Sequence, residues 1–232
     1  MVAAADRTRR MALLAILAFG SIMLWQNPIG AKLLYPFTIL STWFHEMGHG
    51  LMAMLVGGRF ESLAIYADGS GAALSSYAPG RLTDALIAAG GPFGPALAGA
   101  ALILASRHPR STRIALAVLA GAILLSTLIW VRSLTGWLVL PPIALVLGLI
   151  AARGSNEVRE LTAQFVGVQA AISTYRQTGY LFSQGGVVGG LPQRSDTQAM
   201  ADALLLPYWF WGGAITVAIA LLLWWSLRRA LR

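Results

Sequence analysis

Cysteine is absent from the 232 residues, which excludes a disulfide framework, a Cys-ligated zinc and a thiol nucleophile. Charge is nearly as scarce. Charged residues make up 11% of the chain against 57% apolar ones, whereas a soluble domain carries about 25% charged residues. Too few polar groups are present to coat a water-facing surface, so the solvent for most of this chain is lipid. Acidic groups are the scarcest: nine Asp and Glu stand against seventeen Lys and Arg, a formal net charge of +8. A nucleic-acid partner would need that charge on a basic stripe of a soluble fold. Here it sits at the ends of apolar runs instead, with Arg7, Arg9 and Arg10 before the first and Arg228, Arg229 and Arg232 after the last. That placement suits the positive-inside bias and anionic headgroups, so membrane lipid is the expected partner and nucleic acid is not.

A spanning helix needs roughly 20 mostly apolar residues. Six stretches qualify: 11–26, 33–57, 82–105, 112–131, 134–152 and 205–227. The first follows a basic start, but Pro28 and Gly30 come after it with no clear small-x-small cleavage site, so it reads as a retained helix. Two stretches are different. Phe60–Ala67 and Ala72–Tyr77 flank Asp68-Gly69-Ser70-Gly71, a β-hairpin signal. Over 155–182, Leu161, Phe165, Val168, Ile172, Tyr175 and Phe182 recur at helical spacing, one apolar face of a helix lying on the membrane or half-buried against the bundle. A Gly-rich segment, Gly185–Gly190, reads as flexible and leads to Gln193-Arg194-Ser195-Asp196. The expected fold is an all-α polytopic membrane protein of about six transmembrane helices with a small β-hairpin. No repeat or second domain is visible, so residues 1–232 form one membrane-embedded domain. Orientation stays open, because a six-span topology puts Arg107, Arg110 and Arg113 opposite the arginines of the termini.

The chemistry is concentrated in His45-Glu46-Met47-Gly48-His49. Residues i and i+4 share a helix face, so His45 and His49 present two imidazoles to one tetrahedral Zn²⁺. Glu46, one position on, is turned about 100° from His45 and can take a proton from a metal-activated water without ligating the metal. With three histidines in the chain and four glutamates, this spacing arises by chance about once in a thousand such sequences. It also lies in the middle of an apolar run, where an ionised group is costly and functional by default. The bland alternative is a histidine pair bonded to neighbouring helices, with Glu46 neutral or ion-paired.

A catalytic zinc takes three protein ligands and keeps one position open. His108 stands in an Arg-rich loop and reads as solvated. Glu61 and Asp68 belong to the hairpin, Asp6 is terminal, and Glu157 and Glu160 look exposed. Asp84, Asp196 and Asp202 remain. Asp84 opens a helix, an ordinary place for a carboxylate, and spacing does not rank the other two.

The chain resembles the site-2 protease type of intramembrane metallopeptidase, in its compact M50B-like branch. The resemblance rests on the His45–His49 motif followed by Ala53 and Gly57, the Asp-Gly-x-Gly turn at 68–71, the Gly90-Gly91-Pro92 run, and Ser195-Asp196 before a last span with Pro207 and Trp211. It implies that a downstream aspartate, here Asp196, completes the zinc site. The Leu-Asp-Gly context of better-known members does not occur. Gly90, Gly91, Gly94 and Gly99 are expected to break a helix and let backbones approach. The implied activity is zinc-dependent hydrolysis of peptide bonds in transmembrane or membrane-associated substrates, with Glu46 as general base, by a multi-pass protein of a bacterial cell membrane. The rivals are a zinc-binding membrane protein without proteolysis, acting as chaperone or regulator, and a transporter relaying protons through His and Glu.

Overall fold

The structure, a computed structural model, describes residues 2–176 and 178–231. Arg232 and the side chains of Asp6, Arg7 and Arg10 lie outside the described residues. In chain order the elements are α1 (Val2–Trp25), α2 (Pro28–Leu33), α3 (Tyr35–Leu55), β1 (Arg59–Ile65), β2 (Gly71–Ser76), α4 (Arg81–Ala105), α5 (Pro109–Ile129), α6 (Leu134–Arg153), α7 (Asn156–Arg176), α8 (Thr178–Leu181), β3 (Gly185–Val188), β4 (Leu191–Arg194), α9 (Asp196–Ala203) and α10 (Tyr208–Ala230).

The breaks have local causes. Asn27 accepts a hydrogen bond from the Ile29 amide with Pro28 in the first turn of α2, where the missing N–H of proline costs nothing. Gly57 adopts φ 88° after α3, a left-handed conformation natural to glycine at a helix C-terminus.

The expected membrane class holds. Four described helices, α4, α5, α6 and α10, are long and apolar enough to cross a bilayer, while the apolar part of α1, Met11–Trp25, is shorter. α3 is not among the four, because Ser41, Thr42, His45, Glu46 and His49 lower its hydropathy. Neighbouring elements cover it instead, and every residue from Ile39 to Met47 is buried.

Helix α4 packs tightly on α3. A Cβ at Gly48 would collide with the Gly90 carbonyl, and one at Gly94 with the Phe44 carbonyl. The backbones therefore touch, as small residues permit between membrane helices. Contrary to the expected break, α4 is continuous through Gly90, Gly91, Gly94 and Gly99, with Pro92 and Pro95 inside it. At Gly99 the same device meets α7: an added Cβ would stand 2.8 Å from the Gly167 carbonyl.

Helix α7 packs within the bundle and turns its expected apolar face partly outward. Leu161 and Tyr175 are exposed, whereas Gln164, Gln169, Ser173 and Thr174 are buried. Gln169 donates to Ser21 Oγ at 2.7 Å and accepts from the Trp25 indole at 3.4 Å. In lipid, an apolar face loses nothing by pointing outward, while polar groups must find partners inside.

The first hairpin forms as expected, antiparallel with Leu63 opposite Ala73 and Ile65 opposite Gly71. One edge of it is covered: the Leu63 amide donates to Trp130 O and its carbonyl accepts from Arg132, both at 2.9 Å, and the Ile65 amide donates to Ser133 Oγ. Those two residues therefore occupy non-hydrogen-bonded pairs, which leaves the Gly71 and Ala73 backbone groups on the far edge, facing α3. The segment expected to be a flexible Gly-rich stretch forms a second hairpin, β3–β4. Gly189 and Gly190 form its turn at φ 56° and 85°, the positive-φ pair that tight hairpins require. The two hairpins meet tip to tip, the Gly189 amide donating to Ser70 Oγ at 3.2 Å.

Candidate metal centre

His45 and His49 lie one turn apart on α3 with ring centroids 4.8 Å apart. Their Nε2 atoms approach to 3.1 Å. His49 Nδ1 lies 2.7 Å from the Ile87 carbonyl; as that carbonyl can only accept, Nδ1 carries the proton and Nε2 the lone pair.

Asp196 meets these nitrogens from the other side of the sequence. Its Oδ2 is 3.1 Å from His45 Nε2 and its Oδ1 is 3.3 Å from His49 Nε2. It opens α9, where local chemistry fixes it. Ser195 caps the helix by accepting from the Gln198 amide at 3.1 Å and donates to the Ser183 carbonyl at 2.5 Å. Thr197 donates to the Leu181 carbonyl at 2.8 Å. The aspartate is thus held between two fully buried hydroxyl residues, and the short bonds tie α9 to the chain around α8. Burial works against the charge of Asp196, but His49 and His45 outweigh it and hold the carboxyl below the usual carboxylate range.

Asp84 and Asp202 line the same cavity but stand outside the donor group. Asp202 pairs with Arg194 at 2.6 Å on the surface and accepts from Gln198 at 2.7 Å. Asp84 is beside Tyr77, which bonds to it. His108 precedes α5 at the N-cap position. Among the described residues, only His45, His49 and Asp196 form a His/Asp/Glu/Cys group able to hold a metal ion, their donor atoms all within 4.8 Å of one another.

The donor set fits zinc. Ligands at 2.0–2.1 Å around a tetrahedral Zn²⁺ stand about 3.3 Å apart, close to the 3.1 Å between the two imidazole nitrogens and the 3.1 Å from His45 Nε2 to Asp196 Oδ2. Asp196 Oδ2 is buried without a well-formed hydrogen bond and faces His45 Nε2 at 3.1 Å. Gly91 leaves the space: an added Cβ would lie 2.7 Å from His45 Nε2 and closer still to His49 Nε2.

Glu46 is buried and lines the same cavity of about 580 Å³ as His45, His49 and Asp196. The Ala73 amide of the β2 edge bonds to it. Gly71 lets the strand come close, since a Cβ there would lie 2.8 Å from Glu46 Oε1. Opposite stands Tyr180, lining this cavity and a smaller one beyond Glu46. Burial, then Asp196 and Glu46, push its phenol upward, so it stays protonated and donates to the Arg194 carbonyl at 3.2 Å. Sequence reasoning gave no place to Tyr180, Thr197 or the Ile87 carbonyl, and it gave Gly71 only a place in the hairpin turn. A signal existed only for Ser195, whose Ser-x-x-Gln spacing is a helix-start signature.

An apolar helix bundle with two imidazoles, a carboxylate and a second carboxylate gathered in one buried cavity defines a membrane protein of metallopeptidase type. The chain belongs to the Peptidase M50B-like family, whose sequence model matches residues 12–226. No curated protein and no solved structure matches it.

Proposed function

We propose that this protein is an intramembrane zinc metallopeptidase that hydrolyses peptide bonds of transmembrane or membrane-associated substrates. The observation that carries the reading is the convergence of His45 Nε2, His49 Nε2 and the Asp196 carboxylate, whose Oδ2 lies 3.1 Å from the first nitrogen and whose Oδ1 lies 3.3 Å from the second, with Glu46 on the same cavity wall. In this reading His45, His49 and Asp196 hold the metal. Zinc, when bound there, supplies the Lewis acid that activates water and polarises the scissile carbonyl.

Glu46 takes the proton from the attacking water and delivers it to the departing amide nitrogen. The Ala73 amide orients its carboxylate, and Ile87 O fixes the His49 tautomer. Asp196 is oriented by the Ser195 and Thr197 anchors. The first hairpin, beside the cavity, can pair with an extended substrate strand. The whole chain acts as one domain in this reading, multi-pass in a bacterial cell membrane.

The test pairs metal analysis with turnover in detergent-purified protein, for wild type and Glu46→Gln. Wild type should hold about one Zn²⁺ per chain and cleave a transmembrane peptide library; the variant should hold the same zinc and cleave nothing. A Glu46→Gln protein that cleaves at the wild-type rate refutes the general-base role. Zinc-loaded wild type that cleaves nothing supports the non-proteolytic alternative.

A further inference from the structure

Away from the metal centre, a second cavity of about 460 Å³ opens where α1 ends and α3 begins, lined by Trp25, Lys32, Tyr35, Thr38, Asp68 and Arg176. The Arg176 guanidinium lies 3.7 Å above the Trp25 ring, a stacking that fixes a planar cation in place. Lys32 supplies a second cation from the end of α2. Among the described residues neither cation forms an ion pair, and burial partly desolvates Arg176. The one carboxylate in the wall, Asp68, already accepts from the Ser70 amide at 2.9 Å and from its hydroxyl at 2.6 Å. Tyr35 is held by donation to the Ala67 carbonyl at 2.9 Å.

Beside the cavity the surface turns apolar. Leu24, Ile29 and Leu33 are exposed, the last two at 71% and 68%, flanking Lys32 along α2. Two cations without an ion-pair partner among the described residues, framed by an indole and a phenol and next to exposed aliphatic side chains, match a phosphodiester with acyl chains attached better than they match any neutral ligand.

We propose that Lys32 and Arg176 bind the phosphate of an anionic phospholipid headgroup, whose acyl chains lie along Ile29 and Leu33. The site is independent of proteolysis and of the metal. Native mass spectrometry of the full-length protein in detergent tests it, with three added ligands: phosphatidylglycerol, diacylglycerol lacking phosphate, and glycerol 3-phosphate. Wild type should retain phosphatidylglycerol, and the Lys32→Gln/Arg176→Gln variant should retain it at least about tenfold less, with its helix content unchanged. Lys32→Gln alone, at an exposed position, should show an intermediate loss and keeps the test usable if the double variant folds poorly. Glycerol 3-phosphate that competes only in large excess assigns the phosphate to lipid. Competition at equal concentration keeps the phosphate site and moves its source to a soluble phosphate ester. Equal retention by the variants, or diacylglycerol bound as well as phosphatidylglycerol, overturns the proposal.

Discussion

Replacing Gly91 by alanine perturbs the proposed zinc centre without removing a donor atom. The added methyl would stand 2.7 Å from His45 Nε2 and nearer to His49 Nε2, inside the space where a metal would sit at 2.0–2.1 Å from each nitrogen. Helix α4 cannot easily retreat, because α7 backs it, with the Gly99 backbone already close to the Gly167 carbonyl. The imidazoles must turn away instead, and at least one is lost to the metal. Structural zinc sites with four ligands are worth about 10–16 kcal/mol. One ligand of that set accounts for roughly 3 kcal/mol, which weakens zinc binding about a hundredfold. The apoprotein should not suffer by propensity, since alanine favours a helix interior over glycine by about 1 kcal/mol. Gly121→Ala is the matched control, a helical glycine with nothing within 4 Å of the added Cβ. Zinc per chain after dialysis against a competing chelator is the assay, with circular dichroism to confirm helix content. Gly91→Ala that retains zinc as wild type and Gly121→Ala do would refute the placement of the metal between these imidazoles.

Asp196→Ala should weaken zinc binding about a hundredfold by the same reckoning, whereas Asp202→Ala removes only an exposed pair with Arg194 and should change it less than about threefold; a competition titration against a zinc indicator ranks the two. Ser195→Ala deletes the α9 cap and the anchor to Ser183; it should destabilise by about 1 kcal/mol and lower zinc affinity while leaving all donor atoms in place, as thermal melts with and without chelator will read. Chelation of the wild type should itself lower the melting temperature, because a ligand that binds only the folded state stabilises it by mass action; an unchanged melt on stripping the metal would argue against a bound ion at this site.

The pair His45 and His49 was legible in the sequence because their relation is local: four residues on a helix fix one face, whatever surrounds them. The membrane class was legible because composition sets the solvent, and the first hairpin because Asp-Gly turn chemistry acts within four residues. Local reasoning failed where the outcome depended on neighbours. The glycines of α4 read as helix breakers, yet close backbone contacts with α3 and α7 hold that helix continuous. The apolar face of α7 read as lying on the membrane or half-buried against the bundle; in the fold Leu161 and Tyr175 are exposed while Gln164 and Gln169 are buried, because uncharged polar groups must find partners away from lipid. Gly185–Gly190 read as a flexible stretch, yet its partner strand 191–194 makes a hairpin of it. Asp196 and Asp202 were not ranked by spacing, and Asp196 was named only through the family resemblance. Tertiary structure gives the physical reason, anchoring Ser195 and Thr197 to the chain around α8 and so bringing the first residue of α9 against imidazoles far upstream, while Asp202 pairs with Arg194. A contact between distant segments depends on the packing of everything between them, and no short window of sequence encodes it.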